Sequence, residues 1–180
     1  MRLYDTVPNE DLAAAIKEIY DRPSCLGNGV FAVKGGADPN TKTTVVLPFQ
    51  INHKIYEYPI TADMDLSATT AGVAATAGGT GIQAATTYCC YLLTVDAALA
   101  LDAFKGTDCA TAALAYNALP EPPAAHCPIG YILVYSGTVP YIFGTTNYNA
   151  GSGLTMTAVG IQDIPSGYGE GAVYLDEVDE

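Results

Sequence analysis

Residues 87–106 read TYCCYLLTVDAALALDAFKG and contain two β-rich halves on either side of the short stretch 96–98. Apolar and aromatic residues fill the first half. In the second half, Leu99, Leu101 and Ala103 fall on one face of an extended chain, because successive side chains in a strand point to opposite sides. The stretch therefore predicts a β-hairpin whose second strand is half-buried.

Further strand-like segments lie on both sides of this hairpin. They are short and are bounded by Gly or Pro: residues 43–47, 128–135, 141–143 and 154–160. Pro48 limits the first of these to a sheet edge or a bulge. In the second, which has the pattern of a central strand, Ile129, Tyr131, Leu133 and Tyr135 are expected on one face. Regularly spaced short strands predict a mainly β fold, an antiparallel β-sandwich or small barrel.

A short N-terminal α-helix is predicted before the β region. Asn9 can cap it, and Pro23 ends it. Its apolar residues recur at helical spacing on one face: Leu12, Ile16, Ile19 and Tyr20. We interpret residues 1–24 as a helical arm that anchors the protein on a partner or bridges subunits, with docking on its own domain as the alternative. Residues 25–165 then form the β domain, and 166–180 form an acidic, Gly-rich tail.

The charge balance argues against two classes of partner. The chain has 19 acidic and 7 basic residues, a net charge of −12. Nucleic-acid backbones and anionic membrane surfaces both attract clustered Lys and Arg, so neither is an expected partner. The first residues, MRLYDTVPNEDL, lack the apolar core of a signal peptide. We therefore expect synthesis in a cytoplasm and no membrane association.

The five cysteines are predicted to be buried thiols. Their number is odd and no CxxC pair occurs. Adjacent Cys89 and Cys90 lie in a strand-like run, where neighbouring side chains point apart. Buried cysteines behave as small apolar residues in a reducing compartment. A structural zinc site needs four ligands at regular spacing, so we expect no metal.

Few residues are suited to catalysis. The chain has two histidines, His53 and His126, and the second precedes Cys127. Adjacent residues of an extended chain point apart, so this pair does not by itself form a nucleophile and base. Asp63 and Asp65 lie in a loop-like stretch without the spacing of a calcium loop. We predict no enzyme activity and no cofactor, with a small hydrolase using Cys127 and His126, or an acid pair, as an alternative.

Tyrosine is the best candidate for surface contacts. The chain has 13 Tyr and no Trp, and tyrosine is enriched at binding surfaces. Candidates for exposed contacts are Tyr116, Tyr141, Tyr148 and Tyr168, of which Tyr141 and Tyr148 are favoured. This composition also suits a receptor- or carbohydrate-binding module, although many sugar sites stack on Trp. Covering a sheet face or a subunit contact is an equally good explanation for these tyrosines.

Three segments resemble a pattern found in virion proteins of tailed bacteriophages. They are the strand end LLTVDA at 92–97, the segment CPIG at 127–130 after LPEPP, and the turn GTTNYNA at 144–150. The pattern occurs in small β-rich proteins of the head decoration or head fibre type, and it spans about residues 85–160 here. Tyr148 stands where an aliphatic residue is more usual, and the turn after Asp96 lacks the family's glycine.

The resemblance implies a structural role. Such proteins bind the capsid surface, often as trimers, and reinforce it or present a fibre. It implies the major capsid protein or other virion proteins as partners, a homo-oligomeric state with a trimer favoured, and a location on the virion after synthesis in the host cytoplasm. A receptor- or carbohydrate-binding module of a phage tail or cell surface is the alternative.

Overall fold

The computed structural model describes residues 22–27, 31–34, 41–61, 64, 82–146 and 154–160. Within these ranges the chain forms eleven strands and one helix. In chain order they are β1 Ser24–Cys25, β2 Phe31–Val33, β3 Thr41–Thr43, β4 Leu47–Ile51, β5 Lys54–Tyr58, β6 Ile82–Gln83, β7 Tyr88–Val95, β8 Leu101–Lys105, α1 Ala112–Asn117, β9 Cys127–Tyr135, β10 Tyr141–Ile142 and β11 Thr155–Gly160. All strand pairs are antiparallel, which confirms the prediction of a mainly β, antiparallel fold.

The largest sheet has four strands in the order β11-β9-β7-β8. The predicted hairpin is confirmed, with Val95 opposite Leu101 and Tyr91 opposite Lys105. Strand β7 is buried on both faces after Tyr88, which explains its continuous apolar run. Strand β9 lies between β7 and β11, so it is the central strand that its sequence predicted.

The facing of β9 differs from the prediction. Leu93 lies opposite Gly130 and Thr94 opposite Pro128, so Ile129 is an extra residue in the ladder. Such a β-bulge shifts the alternation of side chains by one position. Ile129 and Ile132 consequently both face the core, and Tyr131 faces the other side. The prediction that Ile129, Tyr131, Leu133 and Tyr135 share one face is therefore wrong.

A second sheet has three strands in the order β1-β4-β5. Pro48 lies within β4, the middle strand, so the prediction that it marks an edge or a bulge is wrong. The missing N–H costs little because β1 is only two residues long and ends at Cys25, before it reaches Pro48. The carbonyl of Pro48 still accepts a hydrogen bond from the backbone N–H of Leu26 at 2.8 Å.

Residues of both sheets share one hydrophobic core. Its buried members are Cys25, Leu47, Phe49, Ile51, Met64, Cys89, Tyr91, Leu93, Val95, Ala103, Cys127, Ile129, Ile132, Val134, Tyr141 and Phe143. Each large apolar side chain buried in this way contributes about 1.5–3 kcal/mol. Two small sheets, β2-β3 and β6-β10, complete the described part of the fold.

The helix α1 was not predicted. The side chain of Thr111 caps it by accepting a hydrogen bond from the Leu114 N–H, and buried Ala115 packs it on the sheet. A capping threonine before an Ala-rich run is a helix signal, but the segment is only six residues long. The predicted N-terminal helix and the acidic tail lie outside the described residues.

Candidate functional site

Tyr141 is not a surface residue. Only 1% of it is exposed, contrary to the prediction that it makes surface contacts. It pairs with Gln83 across the β6-β10 sheet, and this register turns its ring into the core. The ring contacts those of Tyr91 and Phe143 edge-on, with centroids 6.0 and 6.5 Å away. The phenol therefore fills the interior where the small sheet meets the large one.

Tyr116 is the predicted tyrosine that reaches the surface. It lies on α1 with 41% of its area exposed. Its ring packs edge-on against that of Tyr131 on β9, with centroids 5.7 Å apart. Burial raises the pKa of Tyr131, and a hydrogen bond to Tyr116 adds to the effect. Tyr148 and Tyr168, and the arm residues Leu12, Ile16, Ile19 and Tyr20, lie outside the described residues.

His126 and Cys127 do not form a reactive pair in this structure. The Cys127 thiol lies in the core, where Sγ is 3.6 Å from the carbonyl oxygen of Pro128. The His126 ring packs edge-on against Phe104, and its Nδ1 lies 3.2 Å from the hydroxyl of Thr94. The two side chains therefore point into different environments, as expected of neighbours in an extended segment.

Three polar residues form a cluster at one end of the large sheet, and the sequence did not predict this cluster. Thr94 lies opposite Asp102 in the β7-β8 ladder, and His126 precedes β9 on the other side of β7. Nδ1 of His126 is 3.8 Å from Oδ2 of Asp102 and 3.2 Å from Thr94 Oγ1. A catalytic triad uses opposite ring nitrogens for its acid and its nucleophile. Here one nitrogen faces both partners, so the cluster ties three segments together.

A buried ion pair fixes the end of β8. Nζ of Lys105 lies 2.5 Å from Oδ1 of Asp108, and the two side chains are 5% and 25% exposed. Oδ2 of Asp108 accepts a hydrogen bond from the backbone N–H of Ala84 at 2.9 Å. The pair therefore links β8 to the segment that follows β6.

Buried Gln83 connects the small sheet to the large one. Its Nε2 donates to the carbonyls of Thr87 and Val134 at 2.7 and 3.1 Å. Its Oε1 accepts from the Tyr91 hydroxyl at 3.4 Å. Buried polar groups need such partners, and these contacts hold β6 over the core. Sequence reasoning gave no sign of this role.

The thiols are poorly suited to nucleophilic chemistry. All five cysteines lie in the described ranges, and no disulfide bond joins any two of them. Burial raises the pKa of both the Cys89 and the Cys90 thiol to about 12. The thiolate is the nucleophile, so at neutral pH both side chains stay protonated. Cys109 is the partly exposed thiol of the five.

Strand β5 is an exposed outer strand. It is the outer strand of the three-stranded sheet, and 69% of Ile55 is exposed. By comparison, no residue of β8, an outer strand of the large sheet, is exposed. A two-residue turn, Asn52-His53, joins β4 to β5, with φ of 49° and 65°. Positive φ at both positions is typical of a type I′ hairpin turn, which matches the twist of the strands.

Among the described residues, no group of three or more His, Cys, Asp or Glu is placed to hold a metal ion. No helix in the same ranges has the length and apolarity that a bilayer crossing requires. Comparisons of the chain with protein-family models, curated proteins and solved structures found no match.

Proposed function

We propose that the protein is a non-enzymatic structural component of a virion. In this proposal it is a capsid decoration or head fibre subunit that binds the capsid surface as a homo-oligomer and reinforces it. One observation carries the proposal: the residues that give the chain its resemblance to phage head proteins serve to shape its backbone. Proteins that share residues of this kind have a backbone scaffold in common, and this supports a structural role.

The first matching segment ends in the turn between β7 and β8. Oδ1 of Asp96 accepts hydrogen bonds from the backbone N–H groups of Ala98 and Ala100, both at 2.8 Å. This side chain takes the place of a backbone turn bond. Leu99 occupies the position with φ of 65°, which glycine adopts without strain. The aspartate therefore preserves the turn in a sequence that lacks the glycine.

The other two segments also shape the backbone. Residues 127–130 open β9, are buried throughout and contain the bulge at Ile129. Gly144 has a φ of 68°, and the N–H of Thr146 donates to the carbonyl of Ile142 at 2.8 Å in the same turn. A shared core between two antiparallel sheets supports the finer proposal of a β-sandwich. Buried thiols suit assembly in a reducing host cytoplasm.

A second candidate is a receptor- or carbohydrate-binding module, and one observation favours it. Tyr116 offers an exposed aromatic ring held by Tyr131. Tyrosines supported in this way can present a rigid apolar face to a ligand. Because Tyr141 is buried, Tyr116 is the described residue on which this alternative now depends.

Copy number tests the proposal. Particles would be purified from the source, and this chain would be quantified against the major shell protein by mass spectrometry. Copies in the hundreds that scale with shell subunits support a lattice-wide decoration protein. A handful of copies indicates a vertex, tail or fibre role and strengthens the receptor-binding candidate. Absence from every particle preparation contradicts the virion proposal.

Two variants separate anchoring from folding. Removal of residues 1–21 leaves β1 in place, because Ser24 pairs with Gln50. We expect this truncation to abolish binding to purified shells while the cooperative unfolding of the β domain persists. Loss of cooperative unfolding would instead show that the arm belongs to the core. In parallel, glycan binding that is saturable and fails in Tyr116→Ala would favour the second candidate.

A further inference from the structure

The outer face of the three-stranded sheet β1-β4-β5 carries exposed apolar side chains. Alternate residues of β4 are buried in the core, so Pro48 and Gln50 point to the opposite face. Ile55 lies opposite Gln50 and Glu57 opposite Pro48, so both share that face. Leu26, whose N–H bonds to the carbonyl of Pro48, adds to it from the end of β1. Ile55 and Leu26 are 69% and 47% exposed, whereas a sheet face in contact with water is normally polar.

The N-terminal arm joins the chain at this sheet. Strand β1 is an outer strand of the sheet and begins at Ser24, directly after Pro23. A proline keeps the residue before it out of the helical conformation, so Arg22 and Pro23 link the predicted helix to β1, and the chain bends at Arg22. A link of about 2–6 residues between a helix and a strand is usual. The core fills the other face of the sheet, so the outer face is the one open to the arm.

We infer that residues 1–21 fold back over the outer face of their own sheet, with the apolar stripe of the arm on Leu26 and Ile55. Contact removes apolar area of both surfaces from water, which is the driving force. The short link gives the arm a high effective concentration at its own sheet, which favours it over the arm of a second copy. The inference rests on the anchoring arm of the proposed function and adds a resting position that the arm leaves when it binds a shell. The stripe consists of Leu12, Ile16, Ile19 and Tyr20.

The direction of the chain sets which residues meet. Ser24 and Ile55 lie at the same level of the sheet, on either side of β4. The predicted helix ends just before Ser24, so its last turn places Ile19 over Ile55, and the helix runs antiparallel to β1. Leu12 lies ~10 Å further along such a helix. It therefore reaches the other end of the sheet, where Val46 precedes β4 and is 43% exposed.

Alkylation of a thiol on the outer face tests the docking in the full chain. The background is Cys109→Ser, because Cys109 is the partly exposed native thiol. Glu57→Cys then introduces a thiol beside the apolar residues without removing any of them. Ile16→Asp puts a carboxylate into the stripe, where docking would bury it, and should speed alkylation at position 57 at least fivefold. Ala14→Asp adds the same charge on the opposite side of the predicted helix and should leave the rate within twofold of the parent.

A second labelling site controls for effects of the reagent. Glu121→Cys replaces an exposed acid outside this sheet, and Ile16→Asp should leave its alkylation rate unchanged. Equal rates at position 57 with and without Ile16→Asp would overturn the inference, as would an Ala14→Asp variant that speeds alkylation as much as Ile16→Asp does.

Cross-linking with a short bis-maleimide tests the register and which copy the arm covers. The reagent adds two thiols across its two C=C bonds, so no oxidant is needed. In the Cys109→Ser background, Ile19→Cys with Ile55→Cys should link within one chain at least fivefold faster than Leu12→Cys with Ile55→Cys. Equal rates, faster linking from position 12, or linked dimers as the main product would overturn the inference. The experiment uses purified protein, so its failure is distinct from absence of the chain from particles, which contradicts the virion proposal alone.

Discussion

Removing Asp108 should destabilise the protein well beyond the effect of an ordinary surface substitution. Its carboxylate accepts from Lys105 at 2.5 Å and from the Ala84 N–H at 2.9 Å, and its partner is a lysine whose side chain is only 5% exposed. The ammonium also donates to the Gly106 carbonyl, at a long 3.5 Å. Asp108→Ala therefore removes two charge-assisted hydrogen bonds and leaves a buried positive charge poorly compensated.

The geometry sets the size of the effect. Breaking a fully buried ion pair by removing one partner costs about 3–5 kcal/mol. A quarter of the Asp108 side chain is exposed, so water can enter the vacated position and solvate the ammonium. We therefore expect Asp108→Ala to lower the free energy of unfolding by about 2–3 kcal/mol, less than the full penalty. Asp108→Asn keeps an acceptor for Ala84 and should cost about 1–2 kcal/mol.

Urea denaturation followed by circular dichroism measures these values. Lys105→Met and the double variant Lys105→Met/Asp108→Asn complete a double-mutant cycle, whose coupling energy should reach about 1 kcal/mol or more. Glu121→Ala, at an exposed acid, should change stability by less than about 0.5 kcal/mol. A coupling energy below about 0.5 kcal/mol, or an Asp108→Ala variant that matches the Glu121 control, would refute the argument that the pair acts as a buried unit.

Three further predictions concern a turn, a close backbone approach and the thiols. Leu99→Gly should raise stability by about 0.5–1 kcal/mol, because Leu99 has a φ of 65°; a lower melting temperature would contradict this. Gly106→Ala should lower the free energy of unfolding by about 2–3 kcal/mol, because its Cβ would lie 2.7 and 2.9 Å from two backbone oxygens. A clearly smaller decrease in urea denaturation would contradict this prediction. Cys89 and Cys90 have folded pKa values of about 12 against an ordinary 9.0, so the folded state retains their protons longer. The free energy of unfolding should therefore fall as pH rises from 9 towards 12, and this fall should be shallower in Cys89→Ala and Cys90→Ala variants. Cys109 is partly exposed and should be the first thiol alkylated in the native protein at pH 8.

Local pattern was enough to predict the parts of the fold that depend on neighbouring residues. The β7-β8 hairpin and the central strand β9 follow from apolar runs bounded by turn residues. The bulge at Ile129 did not follow, because an extra residue in a ladder is decided by the partner strand. The prediction that Pro48 marks an edge or a bulge is wrong for a related reason. The length of the neighbouring strand β1 is decided by tertiary structure, which local sequence does not show.

The candidate surface was predicted less well than the fold. Tyrosine has an apolar ring and a polar hydroxyl, so composition alone does not separate buried Tyr141 from exposed Tyr116. The exposure of Ile55 does not follow from its sequence context, because an isoleucine in a strand usually faces the core. The contacts of Gln83 and of the Lys105–Asp108 pair depend on segments that meet only in the folded chain.

The two adjacent cysteines of β7 give the protein a pair of internal reporters with different sensitivities. Cys89 faces the hydrophobic core, whereas Cys90 is absent from that cluster and lies near Tyr131 on the side where α1 packs. Detachment of α1 from β7 would uncover Cys90, whereas Cys89 would be uncovered only if the two large sheets separated. Pulsed alkylation with the label assigned to Cys89 or Cys90 by fragment-ion sequencing would therefore distinguish a local opening from global unfolding in the parent sequence.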